Sequence, residues 1–179
     1  MNTLSKAFAL IVAMLLLYIY PLADSAEKRD DLTRLFTFQA LTRFVDSVRD
    51  KGVITPNMFN DFQKELSVSS QEFEVSMEHR HKQYIPVYND SGHFQDRYSV
   101  VDEAFYQTQI MEVLFPDSIL SPDDSERTYR LGAGDFFTVT LKSLGQSSSA
   151  VWRDALNGTN SPAGELYLPY GGMVRNEDS

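Results

Sequence analysis

The sequence predicts an α+β fold, a long, kinked amino-terminal helix followed by a small head with a mainly antiparallel sheet. Three observations carry that expectation. The residues from Ala7 to Ala23 hold no charge and run straight into a charged segment with helical periodicity. Two later stretches, Phe73 to Met77 and Phe137 to Leu141, alternate apolar and polar residues as half-buried strands do. Short segments bounded by helix caps and turn residues fill the space around them.

In the first element, Leu32, Leu35, Phe36, Leu41, Phe44, Val45 and Val48 recur at helical steps and read as one apolar stripe, with Gly52 as the stop. Asp30 and Asp31 precede Arg34 by four and three residues, the spacing of helix ion pairs. Pro21 removes an intrahelical hydrogen bond and predicts a kink rather than an end. A kinked helix is therefore expected from about Leu4 to Lys51.

In "TPNMFNDFQKEL", Thr55 is a helix cap, Pro56 takes the first helical position, and Phe59, Phe62 and Leu66 share a side. "QEFEVSMEHRHKQY" is a strand with Phe73, Val75 and Met77 on one face, ending or becoming an edge near Pro86, before a turn at Asn89 to Gly92. "VVDEAFYQTQIMEVLF" places Val101, Phe105, Ile110, Val113 and Leu114 on one helical face, closed by Pro116. "TYRLGAGDFFTVTLKSL" reads as strand, glycine hairpin turn and second strand, with Phe137, Val139 and Leu141 inward. "SSAVWRDAL" is a short helix ending near Asn157 and Gly158, and "GELYLPYGGMV" a final strand with a turn at "PYGG", where an exposed Tyr170 is a contact candidate. The expected organisation is a transmembrane segment over 1–23, an amphipathic stalk helix over 24–52, and an extracytoplasmic α+β head over 53–179.

Composition bounds the function. The chain of 179 residues carries a formal net charge of −9 without a concentrated basic face, which argues against nucleic-acid binding. It contains no cysteine, which excludes disulfides, thiolate metal sites and cysteine nucleophiles. The core must then come from packing, for which 12 Phe and 9 Tyr are available.

Candidate chemistry is sparse. His79 and His81 share a strand face and would grip a metal given a third ligand such as His93 or Glu103, but nothing in the sequence fixes that ligand. Asp123, Asp124 and Glu126 form an acidic loop without the spacing of a calcium loop. "GAGDFF" has neither a dinucleotide fingerprint nor a phosphate-loop lysine, and no serine sits in a nucleophile-elbow context. The residues thus assign no catalytic group, no cofactor and no metal.

The first segment has two readings. As an anchor, Phe8, Leu15, Leu16 and the kink at Pro21 lie in the membrane, while Leu32, Leu35, Phe36 and Phe44 serve helix packing. As a secretory signal, Lys6 is the basic start and Ala23-Asp24-Ser25 the cleavage site, leaving Ala26 first and a secreted binding module. The apolar run is longer than a signal core, and the helical phase continues through the cleavage site, which favours the anchor. Positive charge is ambiguous, with Lys6 before the run and Lys28 and Arg29 after it. The large acidic domain that follows places the amino terminus inside and the head outside.

The short positive start, the apolar helix interrupted by proline, its amphipathic continuation and the small α+β head resemble the type IV pilin and pseudopilin plan. "FVDSVRDKGVITPNMFNDF", "FEVSMEHRHKQYIPVY" and "GDFFTVTLKS" are similar to small membrane-anchored (TadE-like) proteins of Gram-positive bacteria. Those belong to gene clusters for tight-adherence-type pili or type II-like secretion. The resemblance implies a non-enzymatic minor pilin or assembly component, held in the cell membrane and partnered by other pilin-like or secretion-apparatus subunits. Pilins carry a glutamate at the fifth mature position. A cut after Ala7 would put Val12 there, which implies a permanently membrane-held accessory protein. A third reading, a metal-dependent hydrolase, would use His79 and His81.

Overall fold

The computed structural model describes residues 3–69, 71–89, 91–117, 121, 124–160 and 166–175. The fold is α+β, a 49-residue helix α1 (Thr3–Lys51) leading into a head of short helices and two antiparallel sheets. After α1 come β1 (Val53–Ile54), α2 (Pro56–Ser67), β2 (Phe73–Tyr88), β3 (Phe94–Tyr106) and α3 (Gln107–Leu114). A 3-10 turn at Ser125–Arg127 precedes β4 (Tyr129–Arg130), β5 (Phe136–Ser143), α4 (Ser148–Asn157) and β6 (Tyr167–Met173). The main sheet has the order β3-β2-β5-β6, and β1 pairs with β4 in a separate two-stranded ribbon.

Helix α1 runs through Pro21 and ends where expected, at Gly52, whose φ of +65° is a left-handed stop and whose amide bonds the Val48 carbonyl. The apolar residues of its second half do not form one stripe. At 3.6 residues per turn, the five-residue step from Phe36 to Leu41 carries the pattern to the other side of the helix. Leu41, Phe44, Val45 and Val48 are buried in the head, whereas Leu32, Leu35 and Phe36 are exposed.

The head core is built on that buried face. Phe44 stacks on Phe62 of α2 at 4.4 Å and meets Phe59 and Phe137 edge-on, both at 6.4 Å. Thr55 caps α2 by accepting from the Met58 amide, with Pro56 in the first turn. From β5, Phe137, Val139 and Leu141 point inward as the alternation requires, against Val75 and Met77 of β2.

Three local expectations change. Val101 to Tyr106 is strand rather than helix, because it continues β3 in register with β2 from Tyr106 opposite Glu78 onward, and only Gln107–Leu114 is helical. The glycines of "GAGDFF" do not join a hairpin, since β4 pairs with β1 and β5 with β2 and β6. "PYGG" is no turn but the body of β6, where a Cβ on Gly171 would lie 2.7 Å from the Phe137 carbonyl oxygen. Tyr170 there lies against α1, its hydroxyl 3.2 Å from Asp46 and its ring edge-on to Phe38.

Pro86 lies within β2 at a point where β5 has already ended, so β2 is paired on one side there and a proline is tolerated. Beyond Arg80, β2 pairs with β3 alone, and the two strands project from the sheet as a hairpin arm. Asn89 closes the arm, its side chain accepting from the Ser91 and His93 amides.

Helix α4, capped by Ser147 and stopped by left-handed Gly158, lies along α1. Asp30 does the tying, its carboxylate accepting the Ser149 and Ser148 amides at 2.7 and 3.2 Å. Partial burial pushes this carboxyl up, but the hydrogen bonds from Ser149, Ser147 and Ser148 outweigh it and hold it below its ordinary value of 3.8. The stabilisation is therefore complete above pH 3.8 and is lost as pH falls below that value through the depressed one. Asp30→Asn is expected to cost about 0.5–1 kcal/mol at neutral pH. In denaturation curves collected against pH, the variant and parent should converge in acid.

Candidate functional site

Strand periodicity carries the inner face of β2 from Val75 and Met77 to His79 and then His81. The pairing of β2 with β5 ends at Arg80 opposite Phe136. His79 is consequently covered, while the His81 side chain, one residue past the last β5 partner, is 44% exposed.

The segment between β4 and β5 crosses this face. Gly134, at φ +92°, lets the chain reverse, with its amide on the Val174 carbonyl and the Asp135 amide on the Gly132 carbonyl. That reversal drives the Asp135 side chain inward until it is 4% exposed. One carboxylate oxygen, Oδ2, accepts from His79 Nε2 at 2.8 Å and from the Gly132 amide at 2.7 Å. The other, Oδ1, accepts from His81 Nδ1 at 2.6 Å. The second nitrogen of His79, Nδ1, meets the Tyr129 hydroxyl at 2.7 Å, and Phe105 from β3 stacks on the His79 ring at 5.5 Å. Three segments of the head, β3, β4 and the glycine turn, thus converge on one imidazole of β2.

The electrostatics are those of a buried anion held by donors. Burial pushes the Asp135 carboxyl up, but hydrogen bonds from His79, the Gly132 amide and His81 prevail and keep it below the ordinary carboxylate value. Burial, followed by the Asp135 charge, pushes the Tyr129 phenol up to about 12, so it keeps its proton. With both imidazoles neutral, His79 Nε2–H and His81 Nδ1–H donate to Asp135, and Tyr129 donates to His79 Nδ1. Chemically the arrangement offers two imidazole nitrogens and a carboxylate oxygen, all within 4.8 Å of one another.

The third group is Asp135, whose place beside the glycines of "GAGDFF" marks it in the sequence only as a turn residue. His93 sits instead at the tip of the arm, its amide on Asn89. Glu103 stands opposite His81 in register and accepts from Gln83 at 2.9 Å. In the acidic loop, Asp124 caps the 3-10 turn by accepting the Glu126 amide, and Asp123 lies outside the described residues.

The stalk residues divide between two environments. Phe8, Leu15, Leu16 and Pro21 are exposed along the apolar half of α1, which is long and apolar enough to cross a membrane. Phe44 belongs to the head core. Leu32, Leu35 and Phe36 are 52%, 61% and 62% exposed. Leu32 and Phe36 line a groove of about 590 Å³ with Val68, from the end of α2, and Thr37. The Thr37 hydroxyl is buried without a hydrogen-bond partner among the described residues.

No protein-family model matches the chain, and no curated protein or solved structure matches it either. The roles of these residues therefore rest on their geometry.

Asp135→Ala would leave the donors of His79 and Gly132 buried without an acceptor, at an expected cost of about 3 kcal/mol. Tyr129→Phe, which removes one hydrogen bond, should cost about 1 kcal/mol. Urea denaturation of the detergent-solubilised chain measures both, and wild-type stability for Asp135→Ala would contradict the cluster as described.

Proposed function

We propose that the chain is a non-enzymatic, single-pass membrane subunit of pilin or pseudopilin type, acting in a surface pilus or a type II-like secretion apparatus. Its amino terminus lies in the cytoplasm and its head outside. The observation that carries this reading is the continuity of α1, one helix whose first half is bare and apolar and whose second half is the core helix of the head. A lipid bilayer is the environment that satisfies the first half, since a helix bonds all its backbone groups internally and needs only apolar surroundings.

The exposed residues Leu32, Leu35 and Phe36 follow the apolar segment directly, on the side of α1 away from the head core. In this reading they pack against the helices of neighbouring subunits. The head adds a second surface, the hairpin arm with Tyr84, Tyr88, Phe94 and Tyr98 exposed along it.

The alternative, a secreted binding module freed by cleavage after Ser25, uses the same apolar segment as a signal. Against it stands the cleft in which Tyr20, Ala23, Asp24 and Glu27 of α1 face Trp152 and Leu156 of α4. Cleavage would remove the first three of those residues and with them one wall of that cleft.

Leu35→Asp and Phe36→Asp test the assembly role, because both positions are exposed and the head should fold around them unchanged. Cross-linking in intact cells is expected to lose the higher-order species in either variant, while the amount and thermal stability of the monomer stay at wild-type levels. Unchanged cross-linked species in both variants would reject helix packing through this face.

A further inference from the structure

We infer that His79, His81 and Asp135 bind a divalent transition-metal ion of the zinc class, which braces the base of the hairpin arm against the glycine turn before β5. The inference stands apart from the membrane role and uses only the head.

Ligand chemistry selects the ion. Two imidazoles and one carboxylate suit zinc and its first-row neighbours, whereas calcium and magnesium take oxygen ligands and copper(I) takes thiolate or thioether. The donor atoms are His79 Nε2, His81 Nδ1 and an Asp135 oxygen. Around a tetrahedral zinc, ligand atoms stand roughly 3.3 Å apart, from a metal–ligand distance of about 2.0 Å. The present separations of 2.8 and 2.6 Å run to different oxygens of Asp135 and are shorter than this by about half an ångström or slightly more, so the carboxylate has to draw back from both rings to admit the ion.

The surroundings are those of a ligand set rather than of a chance pair of histidines. A metal-bound imidazole is held by a partner on its other nitrogen, and a metal-bound carboxylate is itself hydrogen-bonded. His79 Nδ1 has the Tyr129 hydroxyl, and Asp135 Oδ2 has the Gly132 amide. Both arrangements are independent of the contact between imidazole and carboxylate. On metal binding each neutral ring carries its proton on the nitrogen away from the ion, Nδ1 for His79 and Nε2 for His81. Tyr129 then changes from donor to acceptor at the same position, which a hydroxyl allows.

Exposure adds a route and a vacancy in the coordination sphere. His79 and Asp135 are buried, but His81 is half open to solvent, so an ion reaches the donors from that side. Three protein ligands leave a fourth tetrahedral position on the solvent side for water or for a group of another chain. No catalytic step is required of the ion, because bridging β2 to the glycine turn already fixes the angle at which the arm leaves the sheet.

The test uses the full chain in detergent, stripped with a chelator and re-equilibrated with zinc chloride. Bound zinc is measured by atomic emission after gel filtration, and affinity by competition with a chromophoric chelator. Wild type is expected to retain one equivalent and to gain thermal stability with zinc. His81→Ala, at a half-exposed position that the fold tolerates, should bind at least on the order of tenfold more weakly and lose the thermal gain. His79→Gln, verified as folded by circular dichroism, should behave likewise, and His93→Ala should match wild type. Failure of the folded wild type to retain zinc, or full retention by His81→Ala, would overturn the assignment.

Discussion

The packing of Leu41, Phe44, Val45 and Val48 into the head is the interaction on which the rest of the structure depends. Phe44 alone joins three elements, stacking on Phe62 and meeting Phe59 of α2 and Phe137 of β5. Burial of such side chains supplies about 1.5–3 kcal/mol each, so α1 is the central support of the head rather than a stalk beneath it. The same helix emerges bare and apolar toward its amino terminus. Its end is pinned to β6 as well, through the Arg49 side chain on the Met173 carbonyl and the Arg175 amide on the Arg49 carbonyl. The apolar segment and the head are therefore parts of one continuous helix-based unit, and no linker separates them.

The second organising feature is the convergence on His79. A small cysteine-free head has to fix its irregular segments by other means than disulfides, and here a buried carboxylate does it. Asp135 joins the glycine turn to β2, and Tyr129 joins the β4 ribbon to the same imidazole. The cluster sits where β2 loses its β5 neighbour, so it also sets the base from which the hairpin arm projects.

Much of this was legible in the sequence wherever a signal is local. Thr55 with Pro56 gave α2, the alternation at Phe73 to Met77 and at Phe137 to Leu141 gave β2 and β5, and Asn157 with Gly158 gave the end of α4. Non-local partners were not legible. Val101 to Tyr106 is equally compatible with a helical face or a strand, and its pairing with β2 decides for the strand. Gly171 and Gly172 look like a turn until the close approach of Phe137 and Arg49 explains them. The two apolar faces of α1 share one run of helical spacings, and only the five-residue step from Phe36 to Leu41 separates them. Of the site, the His79 and His81 pair was visible from its two-residue spacing. Asp135 was not, because 54 residues separate it from His81 and only the path of the glycine turn brings it there.

The central claim is that α1 stays whole, joining a membrane-held segment to the core of the head. The most direct test is the intact mass of the native protein extracted from membranes, with its amino-terminal peptide identified. A chain that starts at or near Met1 and fractionates with the membrane is the predicted result. A mature chain starting at Ala26 and recovered outside the membrane would contradict it.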